Sequence, residues 1–124
     1  MKQYLRFPLL IVSLFFVLNS CKKPGHETQY VTLDETIQAG SNYTLNLSAY
    51  GDDDDQPSIT KQAAEFSVSQ ISTDAITGRN IYTFSASQKN TVKQTVVITL
   101  KEQHRRGPDC NRDVAVISIN FTIN

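Results

Sequence analysis

Ala115-Val116-Ile117-Ser118-Ile119-Asn120-Phe121-Thr122-Ile123 decides the fold. Its odd-numbered residues are all apolar, and most of the residues between them are polar. Side chains of an extended chain point to opposite faces in turn, so this segment reads as a strand with one face on a core. Val92, Val96, Ile98 and Leu100 share one parity against Lys93, Thr95, Thr99 and Lys101, which predicts a second long strand. Tyr43, Leu45, Leu47 and Ala49 alternate with Asn42, Thr44, Asn46 and Ser48. Tyr82, Phe84 and Ala86 form a fourth set, and Phe66 with Val68 a fifth. Tyr30–Leu33 and Ser58–Thr60 are weaker strand candidates.

Turn signals separate these sets. Gln38-Ala39-Gly40-Ser41, Gly51 to Pro57, Thr77-Gly78-Arg79-Asn80, Gln88-Lys89-Asn90 and the polar segment His104 to Asp113 are rich in Gly, Pro, Asn and Asp. Such residues supply the backbone angles and local hydrogen bonds of tight turns. No mature segment carries a 3.6-residue apolar stripe. Lys61 to Glu65 has helix-forming residues but is long enough for one turn only. About seven short strands at this spacing predict an all-β, two-layer antiparallel sandwich. The last strand is expected to pair with the preceding one and with the first.

The first twenty residues have a different character. Lys2 and Arg6 precede the apolar run Phe7 to Leu18, interrupted by Pro8 and Ser13. A signal-peptide core has roughly 7–15 apolar residues behind a positive start, whereas a spanning helix needs roughly 17–25. Leu18-Asn19-Ser20-Cys21 follows and resembles the bacterial lipobox. That resemblance implies cleavage before Cys21 and acylation of its thiol, so the membrane partner is reached through a lipid anchor. The division expected is 1–20 signal peptide, 21–27 lipidated tether and 28–124 folded domain. The location expected is the cell envelope, on an outer membrane, facing the periplasm or the outside.

Removing Lys2 and Arg6 from the 12 basic residues leaves 10 against 12 acidic ones. This balance does not favour nucleic acid, which selects net positive surfaces. With Cys21 lipidated, Cys110 has no partner in the chain, so no internal disulfide is expected. A buried or merely tolerated thiol is the simpler reading.

Thr36 to Leu45, with a Gly-containing turn leading into a strand, resembles the start of bacterial immunoglobulin-like or cadherin-like repeats. Lys93 to Leu100 and Val116 to Ile123 resemble their last two strands. The resemblance covers roughly 28–124 and implies an immunoglobulin-like sandwich. The antibody Cys-Trp-Cys core is missing, since the chain has no Trp. The acidic motifs of calcium-binding cadherin repeats do not match.

Two charged segments are candidates for a binding tip, Asp52-Asp53-Asp54-Asp55 and a basic loop with Arg105 and Arg106. In an immunoglobulin-like sandwich the two loops containing them lie at the same end. Four adjacent carboxylates can take up Ca²⁺, but the run lacks the Gly and distal Glu of an EF-hand loop, and a solvated loop accounts for it. His104, Asp109 and Cys110 lack zinc-ligand spacing. No metal or cofactor is therefore expected. Asn42-Tyr43-Thr44, Asn46-Leu47-Ser48 and Asn120-Phe121-Thr122 fit the glycosylation triplet, but a lipobox points to a bacterium, and outward polar strand residues generate such triplets by chance. With no nucleophile elbow, zinc-protease helix or phosphate loop, the chain reads as non-enzymatic. The function expected is a binding or structural module for a protein or glycan partner. The alternative is an accessory or inhibitory subunit of an envelope complex.

Overall fold

The computed structural model describes residues 27–103 and 112–124. The segment 1–20 read as a signal peptide, Cys21, His104, Arg105, Arg106, Asp109 and Cys110 lie outside the described residues. Seven strands follow in order: β1 (Gln29–Ile37), β2 (Asn42–Asn46), β3 (Gln56–Lys61), β4 (Val68–Thr73), β5 (Asn80–Ser85), β6 (Asn90–Lys101) and β7 (Asp113–Ile123). One sheet runs β1-β7-β6-β3 and the other β2-β5-β4. The fold is the all-β, seven-strand sandwich that the alternation predicts, of the immunoglobulin-like kind that the resemblance implies.

The core lies between the two sheets. Ala115, Ile117, Ile119, Phe121 and Ile123 of β7 are all buried, as are Val96, Ile98 and Leu100 of β6. From the opposite sheet come Tyr82 and Phe84. Phe121 stacks on Phe84 with ring centroids 4.0 Å apart, and Tyr43 meets Phe121 edge-on at 5.1 Å. Fully burying side chains of this size contributes about 1.5–3 kcal/mol each. The Tyr82 hydroxyl, deep in this layer, shares a 2.7 Å hydrogen bond with the Ser69 hydroxyl. Burial pushes its pKa up to about 12, with the Ser69 bond opposing.

β7 pairs with both β6 and β1, as expected. The β1–β7 pair is the exception to antiparallel pairing: the two run parallel, from Gln29 beside Ala115 to Ile37 beside Ile123. Asn120 donates to Asp34 Oδ1 at 3.0 Å and accepts from Thr95 Oγ1 at 2.9 Å, lacing β1, β7 and β6 across the outer face.

Some expectations change in detail. β2 stops at Asn46, not Ala49. The Asn46 side chain accepts from Ser48 N at 3.0 Å and turns the chain into a single 3-10 turn, Leu47–Ala49. Leu47 stays buried even so, and Ala49 is exposed. Val92 does not join the core but is 66% exposed, because β6 shifts register between Asn90 and Gln94. The inward place goes to Gln94, which is buried. Phe66 precedes β4 and is 44% exposed. Residues 62–65 are not helical but carry the chain from β3 to β4, from one sheet to the other. Pro57, Asn80 and Asn90, read as turn residues, fall inside strands. Gly40, at φ +80°, makes the β1–β2 turn in the left-handed region where glycine is favoured.

Candidate functional site

The strand pairing fixes which loops share an end. Gln56, at the start of β3, lies opposite Lys101, at the end of β6, and Lys101 lies opposite Asp113, at the start of β7. Asn46 at the end of β2 lies opposite Ile81 near the start of β5. The 47–55 loop, the 74–79 turn and the stems of the 104–111 segment therefore meet at one end of the sandwich. Gln56 Nε2 donates to Gln103 Oε1 at 3.3 Å, joining the acidic loop's exit to that stem. Arg112 Nε contacts Glu102 Oε2 at 2.9 Å, and Glu102 N donates to Arg112 O, closing the stem's base. Arg105 and Arg106 themselves are beyond the described residues.

The four aspartates are not equivalent. Asp52, Asp53 and Asp54 are exposed, whereas Asp55 is 4% exposed. Its Oδ2 accepts from Asp52 N at 2.7 Å, and its own N–H donates to Asp52 O at 3.1 Å. Asp55 thus fastens the loop from inside, while its neighbours form the charged rim. Gly51 permits this close packing. A β-carbon there would sit 2.5 Å from Asp55 Oδ2 and 2.9 Å from Leu100 Cδ2. Among the described residues no group of three or more His, Cys, Asp or Glu is arranged to hold a metal ion.

Burial raises the Asp55 carboxyl above its ordinary 3.8. The Asp52 N–H opposes this, and the charges of Asp52, Asp54 and Glu102 add to it. The folded protein then holds this proton more tightly than the unfolded chain does. Ionising Asp55 costs stability, a cost that is absent below the unfolded value and develops as pH rises through the folded one. Asp74 behaves oppositely. Its side chain accepts from Ile76 N at 2.8 Å and Thr77 N at 3.4 Å, and these bonds hold its carboxyl below 3.8. Its stabilisation is present above the unfolded value and lost as pH falls through the folded one. An Asp55→Asn variant keeps an acceptor for Asp52 N but loses the charge. Melting temperatures of variant and parent, compared from about pH 3.5 to 7, are expected to shift in the variant's favour as pH rises. A constant difference across that range would show that Asp55 does not titrate above 3.8.

Arg79, in the β4–β5 turn, was not singled out by the sequence. It borders a shallow, open depression with Asn46, Ser48, Gly51, Asp52 and Asp53. The tip therefore combines exposed carboxylates with a guanidinium from the β4–β5 turn, a surface suited to polar recognition. The opposite end holds a second groove, bounded by Glu65, Phe66, Ala86, Gln88, Asn90 and Ile123.

No protein-family model matches the chain, and no curated protein matches it. Several solved structures are similar at low identity, three of them as follows. A nucleoside hydrolase-related hypothetical protein from Saccharophagus degradans, associated with carbohydrate metabolism, is 14% identical with a TM-score of 0.45. That match covers 78% of this chain and 22% of the other, so the chain spans about a fifth of that protein's length. Amebosin is 12% identical with a TM-score of 0.43, over 79% of this chain and 99% of its own. A cysteine protease inhibitor from Entamoeba histolytica is 11% identical with a TM-score of 0.41, over 78% and 95%.

Proposed function

We propose that this protein is a membrane-anchored envelope lipoprotein whose immunoglobulin-like domain acts as a non-enzymatic binding or structural module. The supporting observation is the order of the first twenty-one residues: Lys2 and Arg6, the apolar run Phe7 to Leu18, then Ser20 and Cys21. Charge, length, small residue and thiol occur in the sequence that lipid modification requires. The domain then supplies what such a module needs, a packed scaffold that presents loops at both ends. Its partner would be a protein or a glycan. A Cys21→Ala variant is expected to lack the acyl mass and to leave the membrane fraction. Retention in that fraction with no lipid attached would remove the anchor from the reading.

A second reading is an accessory or inhibitory subunit that recruits a partner strand. β4 favours it. The strand is an edge of its sheet, and Val68-Ser69-Gln70-Ile71-Ser72-Thr73 has neither charge nor proline to discourage pairing. Co-purification with one abundant envelope protein in fixed ratio would support this reading, and a monomeric isolated chain the first.

A further inference from the structure

We infer that the charged tip faces the bilayer and that the outward surface is the opposite end, where the β1–β2 turn, the 62–67 crossover and the β5–β6 turn meet. This rests on the lipid-anchor reading of Cys21. The direction of β1 carries it. Because β1 runs parallel to β7, its first residue, Gln29, lies beside Ala115, at the end where the 47–55 loop and 74–79 turn emerge. Thr28 Oγ1 donates to Asp113 O at 2.7 Å, so the chain enters the domain at the very start of β7.

Length then sets the orientation. Seven residues, Lys22 to Thr28, separate Cys21 from Gln29. Fully extended, that stretch reaches at most about 28 Å. β7 has 11 residues, which at strand rise gives the sandwich a height of about 36 Å. With the domain inverted, Gln29 would stand farther from the lipid than the tether can reach. With the domain upright or tilted, the tip falls within reach. Ile76 and Tyr30, 94% and 78% exposed, are the two most exposed of the large apolar side chains that stand out on the described surface. Both belong to this end, where an apolar side chain can meet the headgroup boundary.

At the far end Ala39 N donates to Asn124 O, Gly40 N donates to Ala86 O, and Phe66 stands half-exposed beside Glu65. A large partner approaching from outside the membrane would meet that surface first. Asp52 to Asp54 would instead be presented to the headgroups or to something slender enough to enter beneath.

The test is energy transfer on the full lipidated protein in phosphatidylethanolamine–phosphatidylglycerol vesicles with an acceptor dye on the headgroups. Donor dyes are placed through Asp53→Cys or Gln88→Cys in a Cys110→Ser background, with Thr77→Cys and Lys89→Cys as an independent pair. Donors at 53 and 77 are expected to lose most of their emission, and those at 88 and 89 little. Equal loss at both ends, or greater loss at 88 and 89, on vesicle-bound protein of confirmed acyl mass would overturn the orientation and leave the anchor standing. Protein without acyl mass that does not bind vesicles would overturn the anchor, and the orientation with it.

Discussion

Replacing Phe121 by Ala is expected to destabilise the domain by about 3–5 kcal/mol, the cost of a large buried aromatic truncated in a close-packed core. Phe121 is fully buried, stacks on Phe84 from the other sheet and receives the Tyr43 ring on its edge. It therefore joins the two sheets through a three-ring cluster, and its removal opens a cavity that neither Phe84 nor Tyr43 can fill without leaving the other. A domain of this size loses about 4–8 °C of melting temperature per kcal/mol, so a fall of about 12–40 °C is expected in a calorimetric or dichroism scan. Total stabilities of about 5–15 kcal/mol leave little margin for such a loss. Phe121→Leu, which refills most of the volume, is expected to recover much of it. A fall of only a few degrees for Phe121→Ala would show that the sheets do not pack through this cluster.

Gln94→Ala is expected to cost about 0.5–1.5 kcal/mol by a different mechanism, loss of the hydrogen bond that this buried amide makes to the Glu65 backbone. Gln94 Oε1 accepts from Glu65 N at 2.9 Å, and its Nε2 donates to Val92 O at 3.3 Å. Glu65 in turn accepts from Asn90 at the start of β6. One buried amide thus ties the crossover between the sheets to the register shift of β6. Gln94→Leu preserves bulk but not the acceptor, and should be nearly as damaging as Gln94→Ala. Exchange of the Glu65 amide with solvent deuterium should quicken in both variants. Full stability in the Leu variant would mean that Gln94 serves only as volume.

These two residues illustrate what the chain discloses and what it conceals. Phe121 lies in a run where every second residue is apolar, so its burial follows from strand geometry alone. β5 and the later half of β6 were legible for the same reason. Gln94 was silent because a polar side chain at an inward parity reads as an interruption; only the approach of Glu65, distant in sequence, gives it a partner. β3 was faint because, as an edge strand, it half-buries little beyond Ile59 and Pro57. Asn46 looked like one more outward strand residue until its side chain ended the strand.

The candidate tip was only partly legible. That the acidic loop and the stem of the basic loop share an end followed from the fold type. The different fates of Asp52–Asp54 and Asp55 did not, since they depend on Gly51 lying against Leu100, a contact between distant regions of the chain. Arg79 likewise enters only because β2 and β5 are neighbours.

The parallel seam between β1 and β7 has a mechanical consequence. A pull on the start of β1, resisted at the far end of the sandwich, acts along the strands and loads the seam in shear. Its nine residue pairs, with Asn120 riveting Asp34 from the outer face, must then yield together and cannot open in succession as an unzipping hairpin does. The direction in which the chain enters its first strand thus makes this seam well placed to bear tension.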